Sequence, residues 1–340
     1  MLKIKNVSIK GISTTVPNQR IDNRSYLQND EKGSFIKHTG VKYHHLANKN
    51  SNLTTSDLCI ESSLNLIKKI KWQKDEIKFV IFVSQTRDYI LPSTACIIQN
   101  KLGLSNETVT LDIPYGCSGF VYGLYVSSLI ANNSKSNGLL LCGDMSSQMI
   151  NPKDKKMLAL FGDAGSAIAI EYNKNFKYES IFALNTDGSG EKNLLLEGDF
   201  SKRKKNNSLD QHKFLKMNGP EIFQFGINEV PKQINSILKK SKVKIDDIDY
   251  FVFHQANHFI IKAIAKKMKI NSKKILISID LFGNTNSASI PLTINKHKKL
   301  FHNKVKKILI CGFGVGYSWG TSILTVDKLN CSNIKKLKNV

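Results

Sequence analysis

Asp75-Glu76-Ile77-Lys78-Phe79-Val80-Ile81-Phe82 returns about 170 residues further on as Asp246-Asp247-Ile248-Asp249-Tyr250-Phe251-Val252-Phe253. A lysine-rich helical end precedes each copy, Lys68-Lys69-Ile70-Lys71 in one and Lys239-Lys240-Ser241-Lys242 in the other. An acidic turn then opens onto a short run of aromatic and β-branched residues, the pattern of a strand. A second echo, at nearly the same offset, pairs Leu139-Leu140-Leu141-Cys142-Gly143 with Ile308-Leu309-Ile310-Cys311-Gly312. Two echoes in the same order predict a duplicated βα unit. Strands that are apolar throughout, alternating with helical stretches, predict sheets covered on both faces and therefore an α/β fold. The halves are expected to divide near Ile170-Glu171-Tyr172-Asn173-Lys174, giving 1–172 and 173–340.

The 340 residues, with 41% hydrophobic and 23% charged side chains, exclude a disordered chain. The formal charge of +23 comes from 50 basic against 27 acidic side chains. Only Arg20, Arg24, Arg87 and Arg203 are arginines, so the forked donors that read bases and grip phosphates are nearly missing. A nucleic-acid partner is not expected, and the lysine surface suits an acidic protein better. The six cysteines lie far apart without metal-ligand spacing, as expected of reduced thiols in the cytosol. The first ten residues lack a signal-peptide core, and no apolar run approaches the ~18–20 residues that span a bilayer. A cytoplasmic protein without membrane insertion is expected. The polar stretch from Glu197 to Lys213 is expected to be a surface loop, and the lysine-rich tail after Asp327 is expected to fray.

Four places carry chemistry-bearing residues. Thr108–Ile113 reads as a strand, Pro114-Tyr115-Gly116 as a turn, and Cys117-Ser118-Gly119-Phe120 as the start of a helix. A cysteine at a helix start meets backbone N–H groups and the helix dipole, which lower a thiol pKa toward neutrality and make a nucleophile. By position alone, a small buried core residue is the other reading of Cys117. His254 closes the second copy of the repeated strand, where open α/β sheets place ligands, although a structural histidine fits as well. Asn284 lies in Gly283-Asn284-Thr285-Asn286-Ser287, a tight loop leading to a helix, and read alone it is a turn asparagine. Gly312-Phe313-Gly314-Val315-Gly316 follows the last strand but precedes another strand, so it fails as a dinucleotide loop and reads as backbone passing close to a substrate. His38, His44 and His45 lack supporting ligand spacing and read as surface residues, so no metal site is expected.

In this order the motifs resemble those of the thiolase-superfamily condensing enzymes, specifically the β-ketoacyl-acyl-carrier-protein synthase III family. The likeness begins at Thr39-Gly40-Val41, continues through Leu91-Pro92-Ser93 before the helix with Gln99, and reaches the Cys117-Ser118-Gly119-Phe120 turn. Phe161-Gly162-Asp163-Ala164-Gly165-Ser166-Ala167, Met217-Asn218-Gly219, His254-Gln255-Ala256-Asn257, Gly283-Asn284-Thr285 and the glycine loop through Gly320 complete it. The resemblance implies a five-layer αβαβα sandwich of two pseudo-duplicated halves, usually a homodimer. It implies a triad of Cys117, His254 and Asn284, with the backbone amides of Cys117 and Val315 as an oxyanion hole. The implied reaction takes an acyl group from acyl-CoA onto Cys117 and condenses it with malonyl-acyl carrier protein as CO2 leaves, in fatty acid or specialised acyl-chain biosynthesis. Both thioesters are substrates, and no further cofactor is expected.

The same resemblance places Leu91 at an acyl pocket shaped across the dimer, and Asn257 and Asn218 at carrier or CoA contacts. Lys262, Lys266 and Lys267, on a helix following His254, read either as a landing site for an acidic carrier protein or as a solvated face. The chain departs from the family pattern at Phe35 and His38, where tryptophan and arginine often seat the CoA nucleotide. It departs again at Phe259, which replaces an arginine, and at Val315, which replaces a glycine. Such changes also fit an acyltransferase that passes the group from Cys117 to a non-carrier acceptor, or a retired scaffold that only binds. A degradative thiolase needs a second reactive cysteine and a further histidine near the last glycine loop. Cys311 is close to such a place but ends the strand, and the pair of His254 and Asn284 favours decarboxylative condensation. A 3-hydroxy-3-methylglutaryl-CoA synthase lacks an assignable carboxylic acid beside the nucleophile.

Overall fold

Ile77–Val83 is buried along almost its whole length, and its alternating neighbours face two different layers. In the computed structural model, which describes residues 1–27, 29–48, 51–197 and 214–338, this strand runs parallel to both Asn137–Asp144 and Val109–Ile113. Asn137–Asp144 pairs antiparallel with Ala164–Tyr172, which pairs antiparallel with Val7–Pro17. The second sheet repeats this sequence of pairings. Tyr250–Phe253 is parallel to Val305–Gly314, which is antiparallel to Ser318–Asp327, itself antiparallel to Ser180–Thr186. The two echoed segments thus occupy equivalent strands, as a duplicated unit requires.

Five layers follow from which faces are apolar. Phe79, Ile81 and Val83 of the first sheet and Val252, Ile308 and Ile310 of the second face a shared middle layer. That layer is built from the Gly119–Ser134 and Ser289–Lys296 helices, through Phe120, Leu124, Ile290 and Ile294. Val80, Phe82, Leu139 and Leu141 turn outward against the Thr55–Ile70 and Thr94–Leu102 helices. Phe251, Phe253 and Leu309 do the same against Gly219–Ser241 and His258–Lys267. Truncating one of the fully buried phenylalanines costs about 3–5 kcal/mol, so the strand repeat is also a repeat of the strongest packing positions.

Both chain ends join the sheets, the tail against expectation. Leu2–Ile4 joins the second sheet beside Ser180–Thr186. The tail, expected to fray, forms two short strands, Asn330–Cys331 and Lys335–Leu337, parallel to Val7–Pro17. That strand would otherwise leave an open sheet edge, and pairing the tail against it satisfies backbone groups on both sides. The stretch from Glu197 to Lys213, expected as a loop, lies outside the described residues apart from Glu197. No helix among the described residues is long and apolar enough to cross a membrane.

Candidate active site

The strands that end at Val83, Ile113 and Phe253 all deliver loops to one cavity of about 370 Å3. Its polar end is lined by Cys117, His254, Asn284, Asn286, Gln85 and Val315. Leu194, Leu195, Leu196, Leu215, Met217 and Ile222 make an apolar wall, partly through the short pairing of Leu194–Leu195 with Lys216–Met217. The three residues singled out in the sequence are therefore brought together, from three segments and both halves.

Cys117 is held between a turn and a glycine. Tyr115 N–H donates to Ile113 C=O at 2.8 Å and Gly119 N–H to Gly116 C=O at 2.7 Å, which turns the chain sharply before the helix begins at Gly119. A Cβ on Gly314 would stand 2.7 Å from Cys117 Cβ and 2.8 Å from its Sγ, so only glycine lets the last hairpin pass this close. The next residue, Val315, directs its backbone N–H at the sulfur, as Cys117 does with its own. This is the pair expected to form the oxyanion hole. The expected fall in thiol pKa does not occur. Burial pushes the Cys117 thiol up to about 12, the Asp144 charge adds to the rise, and the two N–H groups pull down without prevailing. Desolvation outweighs the dipole because Cys117, 8% exposed, lies on the cavity floor.

His254 continues the Tyr250–Phe253 strand, its N–H donating to Cys311 C=O at 2.8 Å. Its Nδ1 lies 2.7 Å from Ser289 Oγ, which also receives the Gln255 N–H at 3.5 Å. We assign the Ser289 hydroxyl as donor to Nδ1, which puts the ring proton on Nε2. Nε2 is buried and has no hydrogen-bond partner among the described residues. Burial drives the imidazole pKa down to about 3, opposed by the Asn286 backbone carbonyl. The ring is neutral, and apart from this carbonyl no described residue engages its one N–H.

Asn284 is locked by its backbone to the Phe161-Gly162 segment. Its N–H donates to Leu160 C=O at 2.9 Å and its C=O accepts from Gly162 N–H at 3.0 Å. Gly283 turns the chain here at φ +67, where a Cβ would stand 2.9 Å from Leu160 O. Asn284 Oδ1 accepts from Asn286 N–H at 3.0 Å, which leaves the amide Nδ2 to the cavity.

Asn286 was quoted in the sequence only as part of the loop, yet it touches all three. Its N–H fixes Asn284, its carbonyl faces His254, and its Oδ1 accepts from Cys117 Sγ at 3.2 Å. Gln85 and Arg87 also line the cavity and were not singled out. Their signal was legible in principle, since both follow the buried Ile77–Val83 strand at the sheet end where Cys117 lies. Asp144 was missed for the opposite reason. It is a buried carboxylate near the nucleophile, where none had been assigned. It accepts from Gln85 N–H at 2.7 Å, Ser287 N–H at 3.1 Å and Ser287 Oγ at 2.6 Å. With its oxygens so engaged it braces loops rather than facing the cavity.

The remaining expectations divide. Asn257 lines the cavity, but its side chain caps the His258–Lys267 helix through Ile260 N–H at 2.8 Å. Asn218 caps the Gly219–Ser241 helix at the cavity's edge. Leu91 is 83% exposed and does not line the cavity of its own chain. Lys262 and Lys266 are exposed, as is Lys267, whose Nζ is spent on Ile227 C=O at 2.9 Å in the neighbouring helix. His44 and His45, expected at the surface, are buried beside Tyr26 and Phe282; His38 alone is exposed.

Comparison with known proteins agrees with this geometry. The family model described as 3-oxoacyl-[acyl-carrier-protein (ACP)] synthase III matches residues 111–188, and the model for its C-terminal part matches 238–326. β-Ketoacyl-[acyl-carrier-protein] synthase III of Acholeplasma laidlawii is 32% identical over 331 residues, covering 95% of this chain and 100% of that one. The corresponding protein of Clostridium botulinum (strain Hall) is 33% identical over 327 residues, covering 93% and 98%. A crystal structure of 3-oxoacyl-(acyl-carrier protein) synthase from Burkholderia xenovorans LB400 matches with a TM-score of 0.93 at 33% identity, covering 99% of this chain and 98% of that one. Likeness of this extent, running through the Cys117 turn, the His254 strand and the Asn284 loop alike, means that the chain belongs to the 3-oxoacyl-[acyl-carrier-protein] synthase III family of condensing acyltransferases.

Proposed function

We propose that Cys117 takes an acyl group from acyl-CoA and that the chain condenses it with malonyl-acyl carrier protein, giving 3-oxoacyl-acyl carrier protein and CO2. In the first half, the Cys117 sulfur attacks the thioester carbonyl and CoA leaves as its thiol, carrying the proton Cys117 gives up. The oxyanion formed on the way rests on the N–H groups of Cys117 and Val315. In the second half, the bond between the malonyl α-carbon and its free carboxylate breaks. CO2 departs, and the electron pair becomes an enolate whose oxygen accepts from His254 Nε2–H and Asn284 Nδ2–H. The α-carbon attacks the acyl-cysteine carbonyl, and the Cys117 sulfur leaves as thiolate and takes up one proton from solvent, the net proton the reaction consumes.

One observation carries this reading: the buried His254 is neutral, with an Nε2 that no described side chain engages. A ring depressed to about 3 is a poor base for removing a proton from carbon, whereas decarboxylation needs only a donor. The test supplies acyl-CoA and malonyl-carrier protein and follows CoA, CO2 and product. Equal amounts of all three are expected. CoA release without CO2 makes the chain an acyltransferase to another acceptor.

The partners follow from the same reading. An acidic carrier protein lands on exposed Lys262 and Lys266, on the helix whose first turn, Asn257 and Ile260, borders the cavity. A second copy of the chain covers Val109 and Leu111 on the exposed edge strand together with Tyr89, Ile90 and Leu91, and brings Leu91 toward its partner's acyl pocket. The two substrate classes support a cytoplasmic location.

A further inference from the structure

The hydrogen-bond partner of the Cys117 thiol is Asn286, at 3.2 Å, and not His254. The Asn286 amide is anchored in turn, its Nδ2 donating to Gln85 Oε1 at 3.2 Å. Room for this pair depends on the residue before the nucleophile. A Cβ on Gly116 would stand 2.2 Å from Gln85 Oε1 and 2.8 Å from Asn286 Oδ1, so the turn and the two amides fit only together. Asn286 also adopts φ 51, a left-handed conformation that asparagine and glycine tolerate and most residues do not.

We infer that the Asn286–Gln85 amide pair is a positioning element that holds the resting Cys117 sulfur as a neutral thiol until an acyl thioester enters. The inference rests on Cys117 being the nucleophile. A carbonyl oxygen facing sulfur accepts from S–H but repels S⁻, so it favours the protonated form. The Gln85 contact couples the two amides: turning Asn286 over requires Gln85 to turn with it, and the orientation seen sets the Asn286 oxygen toward the sulfur. Among the described residues, the other titratable or charged groups near this sulfur are Asp144 behind the loop and His254 and Arg87, which line the same cavity. Asp144 favours the thiol as well. His254 is neutral, and the two backbone N–H groups favour the thiolate. Once Cys117 is acylated, its sulfur has no hydrogen to give and the bond to Asn286 ends. The pair therefore acts on the free enzyme and on acyl loading, and not on the condensation that follows.

The test reads the sulfur directly. The S–H infrared stretch of Cys117, isolated by subtracting the spectrum of Cys117→Ala, is compared among the parent, Asn286→Gly and Gln85→Ala. Glycine keeps the left-handed backbone of residue 286, and Gln85→Ala stands in should that variant fail to fold. Loss of the acceptor is expected to move the stretch to higher wavenumber in Asn286→Gly, with a smaller shift in Gln85→Ala. Iodoacetamide alkylation of Cys117 at pH 8 is expected to quicken roughly 3- to 10-fold in Asn286→Gly, the scale of one hydrogen bond. Gln85→Ala is expected to add nothing in that background. An unmoved stretch, or Gln85→Ala acting in full on top of Asn286→Gly, overturns the inference. Neither readout needs acyl-CoA, so a failure of the condensing reaction leaves this result standing on its own.

Discussion

Asp144, at the end of a strand in the first sheet, accepts both the backbone N–H and the hydroxyl of Ser287, at 3.1 and 2.6 Å. Ser287 follows Asn286 in the loop that carries Asn284, so this carboxylate ties the two halves together directly behind the catalytic residues. Its C-terminal partner loop and its own Gln85 contact, at 2.7 Å, meet on one pair of oxygens.

That arrangement makes stability depend on pH. Burial raises the Asp144 carboxyl to about 7 from an ordinary 3.8. Between those values the folded chain holds a proton that the unfolded chain has released, so stability falls as pH rises through the window. Asp163, raised to about 6, acts in the same direction. Asp144→Asn removes the first contribution only. The melting temperature of the variant minus that of the parent is expected to rise from pH 4 to pH 8, and a flat difference contradicts the assignment.

Gly314→Ala tests how tightly the last hairpin fixes the nucleophile. The added methyl would lie 2.8 Å from Cys117 Sγ, and the sulfur must move. Misplacement on the scale of 1 Å costs about 100-fold in rate, so acyl loading of Cys117 is expected to drop by that order. Overpacking itself costs about 1–3 kcal/mol, which a folded protein tolerates. Loading at the parental rate would mean the close approach does not position the sulfur.

His254→Ala separates the two half-reactions. Condensation is expected to fall on the order of 100- to 1,000-fold, while acyl loading of Cys117 persists. Because the parent ring titrates near 3, the condensation rate should show no histidine step between pH 5 and 7. A step near 6.5 in single-turnover condensation would show a ring that ionises during turnover.

Charge reversal of the proposed landing helix acts on one substrate only. Lys262→Glu with Lys266→Glu is expected to raise KM for the malonyl-carrier protein several-fold at low salt, with the gap closing as salt rises. Loading from acyl-CoA should not change. Lys267→Glu is a different experiment, since that side chain braces the Gly219–Ser241 helix through Ile227 and Asn228.

What the sequence made legible was local or periodic. The apolar strands at Ile77 and Tyr250 announced themselves and their duplication, and the polar residues just beyond strand ends, Cys117 and His254, marked the ligand-binding side. What escaped depends on partners far along the chain. The Cys117 thiol is shielded by Gly314 and Val315, some 200 residues on, and no feature of residues 114–120 reports how deeply it is buried. His44 and His45 look like surface residues until Tyr26 packs on the one and Phe282 on the other. The tail becomes strand only because Val7–Pro17 offers it an edge. Asn286 and Asp144 draw their roles from contacts across the two halves, which spacing along the chain does not encode.

The most direct test of the account is the intact mass of the protein after incubation with a panel of acyl-CoAs, followed by peptide mapping. A gain of one acyl group located on Cys117, and absent from Cys117→Ala, is the predicted result. No adduct from any donor, CoA-bound or carrier-bound, or an adduct that survives in Cys117→Ala, contradicts it.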